Sequence, residues 1–365
     1  MWIKWVCGLF ALFVLVQLAV EIGPKEAPSP GVPVFHPGMS CPTWESDAYG
    51  TLKAGRALLA LRDLHVEWVA LVVTWYQDRV DSLAIYRDPR YTPDDDGLVR
   101  AIQLLHRLGF KVMLKPTVDV QDGSWRGDIA FESEEQWNLW FSSYRHFLNH
   151  YARLAADQEV EELCVGVELA STLDRERNWR EVIEGVRSRF PGPLVYAANW
   201  DSFWEVPFWD ALDYVGIDAY FELAVDEDPT VEELMAAWAP WVAELEALYE
   251  IVQKPILFTE AGCRSISRAS ARPWDWATPG EVDLEEQARY YEATLRTFWD
   301  KPWFYGFYWW AWSPQWGSGG TYDTGYTPRG KPAADVLARW YARPSPRNAS
   351  SSEPDNSPVE RLPMD

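Results

Sequence analysis

One feature constrains this chain more than any other: an alternation of strand-like and helix-like segments that repeats eight times. Short apolar runs of β character lie at Pro37–Trp44, Trp68–Tyr76, Lys111–Val120, Leu163–Leu169, Leu194–Trp200, Tyr214–Tyr220, Pro255–Gly262 and Phe304–Trp312. Between them lie stretches whose apolar residues recur at helical spacing. Leu98, Ile102, Leu105 and Leu108 form one stripe, and Trp137, Trp140, Phe141, Tyr144, Phe147 and Leu148 a second. Leu234, Trp238, Trp241, Leu245 and Leu248 form a third. These stripes predict helix faces turned to the core. Strands apolar on both faces belong in a parallel sheet covered by helices. Eight such pairs predict an α/β fold, a single (β/α)8 TIM barrel over residues 36–342. An open doubly wound sheet is the alternative. It is disfavoured because the first run is followed by no glycine-rich phosphate loop: PGMSCPTW is not GxGxxG.

The ends of the chain differ in kind. Trp5–Val20 reads WVCGLFALFVLVQLAV, short for a membrane span and typical of a secretory core, and including Met1–Ile3 brings it to about the lower spanning limit. Residues 1–22 are expected to be a signal peptide or a retained signal anchor, and 23–35 a linker. The protein is therefore expected outside the cytoplasm, secreted or tethered to the membrane by that segment. Residues 343–365, rich in Pro, Ser, Asn and Glu, are expected to form a disordered tail.

Charge and cysteine usage exclude several functions. The 33 Lys+Arg against 55 Asp+Glu give a formal net charge of −22. Nucleic acid is an improbable partner, since phosphate binding needs clustered cations to displace counterions. Cys7, Cys41, Cys164 and Cys263 show no metal-ligand or redox spacing, and the five histidines are scattered. No metal or cofactor is implied. The 23 Trp are the compositional anomaly. Each buried indole N–H needs a partner, so a core alone favours Leu and Ile. Aromatic faces at a surface suit ligands with apolar faces and hydroxylated edges, as sugars have.

In a barrel, reactive side chains lie at the C-terminal strand ends. The fourth strand, LCVGVEL, delivers Glu168 there, and the seventh, PILFTEAG, delivers Glu260. Either carboxylate alone is equally well a structural partner of a rim cation. Two of them, three strands apart around the ring, face each other across the mouth. Such a pair among aromatics suits glycoside hydrolysis, with one protonated acid and one ionised nucleophile or base. A separation of about 5–5.5 Å retains anomeric configuration and about 6.5–9.5 Å inverts it.

At this point the residues resemble a known family. LKPTVDVQDGSWRGDI (Leu114–Ile129), CVGVEL, VYAANWD (Val195–Asp201), DALDYVGIDAYF (Asp210–Phe221) and LFTEAG resemble glycoside hydrolase family 113, within clan A, from about Gly38 to Trp340. The resemblance implies a retaining hydrolase of β-1,4-mannan or manno-oligosaccharides with no cofactor. It implies Glu168 as acid/base, Glu260 as nucleophile, and Tyr220 as the tyrosine that hydrogen-bonds the nucleophile. Asn199 and Trp200 match the family's ANW motif. Trp310 or Trp312 is implied as the floor of the sugar site next to the scissile bond. Two positions depart from the pattern. Val167 stands where many clan members carry the Asn that contacts the sugar 2-hydroxyl, and Thr117 stands where His is frequent.

Further candidates for sugar contact are Asp119, Trp125 and Trp75. Asp119 fits a rim salt bridge with the loop Trp125-Arg126 equally well, and Trp75, like Trp44 and Tyr76, fits packing under a loop. Asp218 fits a hydrogen bond inside the barrel. The long loop Arg264–Asp283, carrying Trp274 and Trp276, is expected to wall the cleft. The glycine-containing loop Ser313–Lys331 is expected to form an aromatic rim, since it lacks the ending of a phosphate loop. The alternatives to a mannanase are a clan relative acting on another β-glycan, a non-catalytic carbohydrate-binding barrel at the cell envelope, and an envelope scaffold.

Overall fold

A computed structural model describes residues 33–315, 317–344 and 347 of the chain. The expected leader and almost all of the expected tail lie outside the described residues. The barrel unit begins at Pro33, and Phe35, expected in the linker, is fully buried in the core.

Eight parallel strands close in sequence order into a barrel. They are β1 (His36–Cys41), β2 (Trp68–Gln77), β3 (Lys111–Val120), β4 (Glu162–Val167), β5 (Leu194–Asn199), β6 (Tyr214–Asp218), β7 (Ile256–Ala261) and β8 (Phe304–Trp309). Each expected run holds one strand. Six of the strands end one to three residues before their expected runs, β3 ends with its run, and β2 continues one residue further to Gln77. Closure between β8 and β1 depends on Gly306, with φ 136°; a Cβ there would meet His36 O at 2.3 Å.

Seven α-helices surround the strands among the described residues. They are α1 (Leu52–Leu59), α2 (Asp95–Arg107), α3 (Glu134–Asp157), α4 (Glu176–Arg187), α5 (Val231–Val252), α6 (Leu284–Phe298) and α7 (Pro332–Tyr341). Local chemistry marks their starts. Ser133 with Gln136, and Thr230 with Glu233, form reciprocal capping boxes. Asp94 and Asp283 each accept a backbone N–H three residues on. The expected seams are inside: the six aromatic and leucine positions of α3 are buried, as are Leu234, Trp238, Leu245 and Leu248 of α5. Trp241 is half-buried against the same core.

The fifth unit departs from the eightfold pattern. Between β5 and β6 the chain forms two short 3-10 turns, Phe203–Glu205 and Trp209–Ala211, and no α-helix. Pro207 interrupts the segment, and aromatic side chains cover the sheet instead. Phe208 stacks on Trp179 with centroids 5.3 Å apart, and the Trp209 indole donates to Phe203 O at 3.1 Å.

The barrel interior is apolar through its middle, where Ala70, Met113, Cys164, Val195, Ala197 and Leu257 meet. Both ends of that plug are polar. At the N-terminal end, His36 stacks on Trp68 with centroids 3.8 Å apart and lies 3.7 Å from Glu162. Both residues are fully buried, and neither Glu162 carboxyl oxygen has a hydrogen-bond partner among the described residues. Burial pushes the Glu162 carboxyl well above its ordinary value of 4.5 and, with Lys111, holds the His36 imidazole well below 6.5. The pair is therefore neutral rather than an ion pair. The folded state then binds a proton that the unfolded chain has lost at neutral pH, so this site costs stability as pH rises above about 4.5. Glu162→Gln is expected to raise the melting temperature at pH 7.5 by roughly 2–4 °C and to leave it almost unchanged near pH 4. Thermal melts at the two pH values check this; an equal change at both would contradict it.

Candidate active site

The opposite, C-terminal end of the plug carries the chemistry. β4 ends at Val167, and Glu168 leaves it with φ 51°, in the left-handed region. That conformation costs a non-glycine residue about 1–2 kcal/mol. It is fixed by two hydrogen bonds: Glu168 N donates to Ala197 O at 2.8 Å and Leu169 N to Tyr196 Oη at 3.1 Å. The side chain is thereby turned over the mouth. Arg126, from the loop after β3, donates through Nη1 to Glu168 Oε2 at 3.0 Å, and through Nε to Asp119 Oδ1 at 3.0 Å. Of the two roles open to Asp119, the structure places it in the rim ion pair, where it anchors the guanidinium that grips Glu168.

Glu260 lies within β7, opposite Asp218 of β6 in register. Its Oε2 accepts from Tyr220 Oη at 2.8 Å and its Oε1 from Lys115 Nζ at 2.6 Å. Lys115, on β3, is fully buried. It also donates to Asp218 Oδ1 at 3.0 Å, and Asp218 Oδ1 accepts from Thr259 Oγ1 at 2.8 Å. Two charged knots therefore share the mouth: Asp119–Arg126–Glu168 on one side and Asp218–Lys115–Glu260 on the other.

Their electrostatics separate the two glutamates. Burial raises the Glu168 carboxyl above 4.5; Arg126 opposes that rise, Glu260 adds to it, and Lys115 and the Trp125 indole oppose it. Burial alone would lower the Lys115 ammonium, but the Asp218 and Glu260 carboxylates more than offset this and raise it. Asp218 is pushed well above the carboxylate range by burial and by Glu260. Glu260 itself accepts two hydrogen bonds, one from a cation, which is the environment of an anion. Among the described residues no group of three or more His, Cys, Asp or Glu is placed to hold a metal ion.

The aromatic candidates divide. Trp310 is half-buried at the mouth, with Trp44 edge-on at 6.2 Å. Trp312 is buried away from it, its indole donating to Ala57 O at 2.8 Å and its face covered by Arg329 at 4.1 Å. The strand ends at Trp309, so two-residue alternation does not carry to Trp312, and the two tryptophans have different surroundings. Trp75 is not a sugar platform: it is buried against α3, its indole donating to Tyr151 Oη at 2.9 Å. Trp200 is half-buried and packs edge-on against Phe221 and Trp241. Trp125 is exposed beside Glu168, and Asn199 is buried with its Nδ2 donating to Asp201 Oδ1 at 2.7 Å. Asn199 pairs in register with Asp218 and so shares its side of the sheet. In the β7 loop, Trp274 is exposed, its indole held by Glu222 Oε1 at 2.9 Å, and Trp276 is more exposed still. Sequence reasoning missed Lys115 and offered the Arg126 loop only as a salt-bridge partner for Asp119, not as a partner of Glu168. A lysine inside the apolar run MLKPTV was the available signal.

The model of glycoside hydrolase family 113 matches residues 42–331, most of the chain and the whole of the site. The chain belongs to glycoside hydrolase family 113. It is therefore a glycoside hydrolase. Three solved members of family 113 are similar along nearly their whole length. The β-mannanase AaManA from Alicyclobacillus acidocaldarius, solved in complex with ManMIm, is 36% identical; the match covers 84% of this chain and 97% of that one, with a TM-score of 0.78. A family 113 β-1,4-mannanase solved as a complex is 30% identical over 85% of this chain and 100% of its own, with a TM-score of 0.79. A further β-1,4-mannanase structure gives the same identity and coverage with a TM-score of 0.78. Among curated proteins, no sequence matches. Family 113 membership places the two knots in a glycosidase and makes the expected barrel that of its relatives.

Proposed function

We propose that this family 113 hydrolase cleaves β-1,4-linked mannan or manno-oligosaccharides with retention of anomeric configuration. Glu260 acts as nucleophile and Glu168 as acid/base. The observation that carries the assignment is the unlike setting of the two glutamates. Glu260 receives hydrogen bonds on both oxygens from Lys115 and Tyr220, while burial drives Glu168 toward its protonated form. The substrate is supported by the three family relatives, all β-mannanases by name.

In the first half-reaction an oxygen of Glu260 attacks the anomeric carbon while Glu168 protonates the departing glycosidic oxygen. Arg126 occupies Glu168 Oε2, so the acidic proton belongs on Oε1. Ionised Glu168 then takes a proton from water as that water displaces Glu260. Wild-type protein assayed on mannan, cellulose and xylan tests this: release of manno-oligosaccharides from mannan alone is expected. Sugar binding with no cleavage of any of the three would contradict it.

Trp310 is assigned as the floor under the reacting sugar. Trp310→Ala is expected to raise KM on mannotriose about tenfold, equal to about 1.4 kcal/mol, with an unchanged melting temperature. Trp312→Ala, in contrast, removes a buried ring and is expected to cost about 3–5 kcal/mol of stability. Steady-state kinetics beside thermal melts separate the two; a KM effect for Trp312→Ala without loss of stability would reverse the assignment. The apolar run Trp5–Val20 supports action outside the cytoplasm, secreted or tethered, and N-terminal sequencing of the mature protein tests whether that run is removed. Among the described residues no helix is long and apolar enough to cross a membrane.

A further inference from the structure

A fully buried lysine inside a barrel strand needs a reason, because desolvating an ammonium costs several kcal/mol unless it is well paired. Lys115 is paired twice, to Asp218 at 3.0 Å and to Glu260 at 2.6 Å. One carboxylate would satisfy its charge. Asp218 alone could do so, since it is also fully buried and is held by Thr259 as well as by Lys115. The second bond, to the proposed nucleophile, is therefore not required for burying the lysine and is the shorter of the two.

That surplus bond has a consequence for the reaction. In the free protein Lys115 faces two carboxyl groups. Once Glu260 carries a sugar as a neutral ester, the charge that helps to hold Asp218 in its protonated form is gone; Asp218, still bonded by Lys115 and Thr259, is then left as the counter-charge that keeps the ammonium in place. In the second half-reaction the bond between the anomeric carbon and Glu260 breaks, and its electron pair returns to the Glu260 carboxylate. A bond forms from water to the anomeric carbon, and the proton of that water passes to Glu168. Negative charge thus develops on Glu260, where Lys115 and Tyr220 already aim their donors. A preorganised donor of this kind stabilises a transition state without reorganisation. In the first half-reaction the same charge is being consumed, so the same bond gives no such assistance.

We propose that Lys115 is a catalytic residue of the second half-reaction: it stabilises Glu260 as a leaving group and speeds breakdown of the glycosyl-enzyme, with Asp218 holding the lysine in position. The proposal rests on Glu260 being the nucleophile, and it separates the two half-reactions, which a packing role does not.

The test uses the full chain with dinitrophenyl β-mannobioside, whose leaving group needs little protonation. Lys115→Met is expected to lower kcat about 100-fold and kcat/KM less than tenfold, so that KM falls as well. A burst of dinitrophenolate should appear, with glycosyl-enzyme visible by mass spectrometry. Lys115→Gln, which keeps an N–H donor without the charge, should fall between wild type and Lys115→Met. If removing the lysine prevents folding, Lys115→Met combined with Asp218→Leu removes both buried charges and is measured instead. Equal losses in kcat and kcat/KM with no burst would overturn the proposal. A fluorosugar trap on wild-type protein keeps it distinct from the assignment beneath: label on Glu260 upholds that assignment whatever Lys115 does, and label elsewhere overturns both.

Discussion

Glu260→Gly lowers kcat on mannotriose by about 10⁵-fold, roughly 7 kcal/mol in transition-state terms, and sodium azide restores turnover of an activated aryl β-mannoside. This is the largest effect expected of any single substitution. Removing the carboxylate removes the covalent route, because among the described residues no other side chain is hydrogen-bonded as Glu260 is, with Lys115 on one oxygen and Tyr220 on the other. Glycine leaves a cavity at the attacking position that a small anion can enter. Azide then attacks from the same face as the lost carboxylate, and the product is the α-mannosyl azide. Thin-layer chromatography and NMR of that product check the prediction. Residual hydrolysis near the wild-type rate, or rescue that yields the β-azide, would remove Glu260 from the nucleophile's role.

Glu168→Ala has a different signature. Protonation of the leaving oxygen contributes about 10²–10⁴-fold, so loss of that order is expected on manno-oligosaccharides. The first half-reaction on a dinitrophenyl glycoside should be nearly untouched. The pH profile follows from the same group. Burial raises the Glu168 carboxyl above 4.5, against the pull of Arg126, and the charge on Glu260 raises it further. The first step requires the protonated form. Wild-type kcat/KM therefore falls as pH rises through that raised value, and the fall disappears in Glu168→Ala with the activated substrate. A leaving-group-independent loss, or an alkaline limb that persists in the variant, would contradict the acid role. Arg126 bears on the same limb: its guanidinium favours the ionised form needed for the second step, while burial favours the protonated form needed for the first.

The barrel was legible because its signal is periodic. Eight apolar runs, separated by helix seams with their own 3.6-residue spacing, leave little freedom in topology, and the expected strands coincide with the observed ones to within three residues. The missing fifth helix was not legible. Phe203, Phe208 and Trp209 cover the sheet by packing, and packing between distant residues leaves no periodic mark. Glu168 and Glu260 were legible as carboxylates that end apolar strands. Their partners were less so. Lys115 and Asp218 come from different strands and meet only once the sheet closes, and Arg126 reaches Glu168 across 42 positions of sequence. The tryptophans show the limit most clearly. Strand-end position placed Trp75, Trp310 and Trp312 alike, yet Trp75 and Trp312 turn their indoles to Tyr151 and Ala57. An outward-turning side chain and an inward-turning one differ by a single residue of register, and register past the end of a strand is set by loops.

Val167 has a place in this picture. It lies at the end of β4, buried, and supplies no polar atom beside the acid/base glutamate. The polar group bonded to Glu168 is instead Arg126, which Asp119 in turn holds.

The most direct measurement of the central claim is the anomeric configuration of the first sugar released. Proton NMR of mannotetraose in the seconds after wild-type protein is added should show the β-anomer first, with the α-anomer growing only as the products mutarotate. Appearance of the α-anomer first would mean a single displacement by water, and would contradict both the glycosyl-enzyme and the roles given to Glu260 and Lys115.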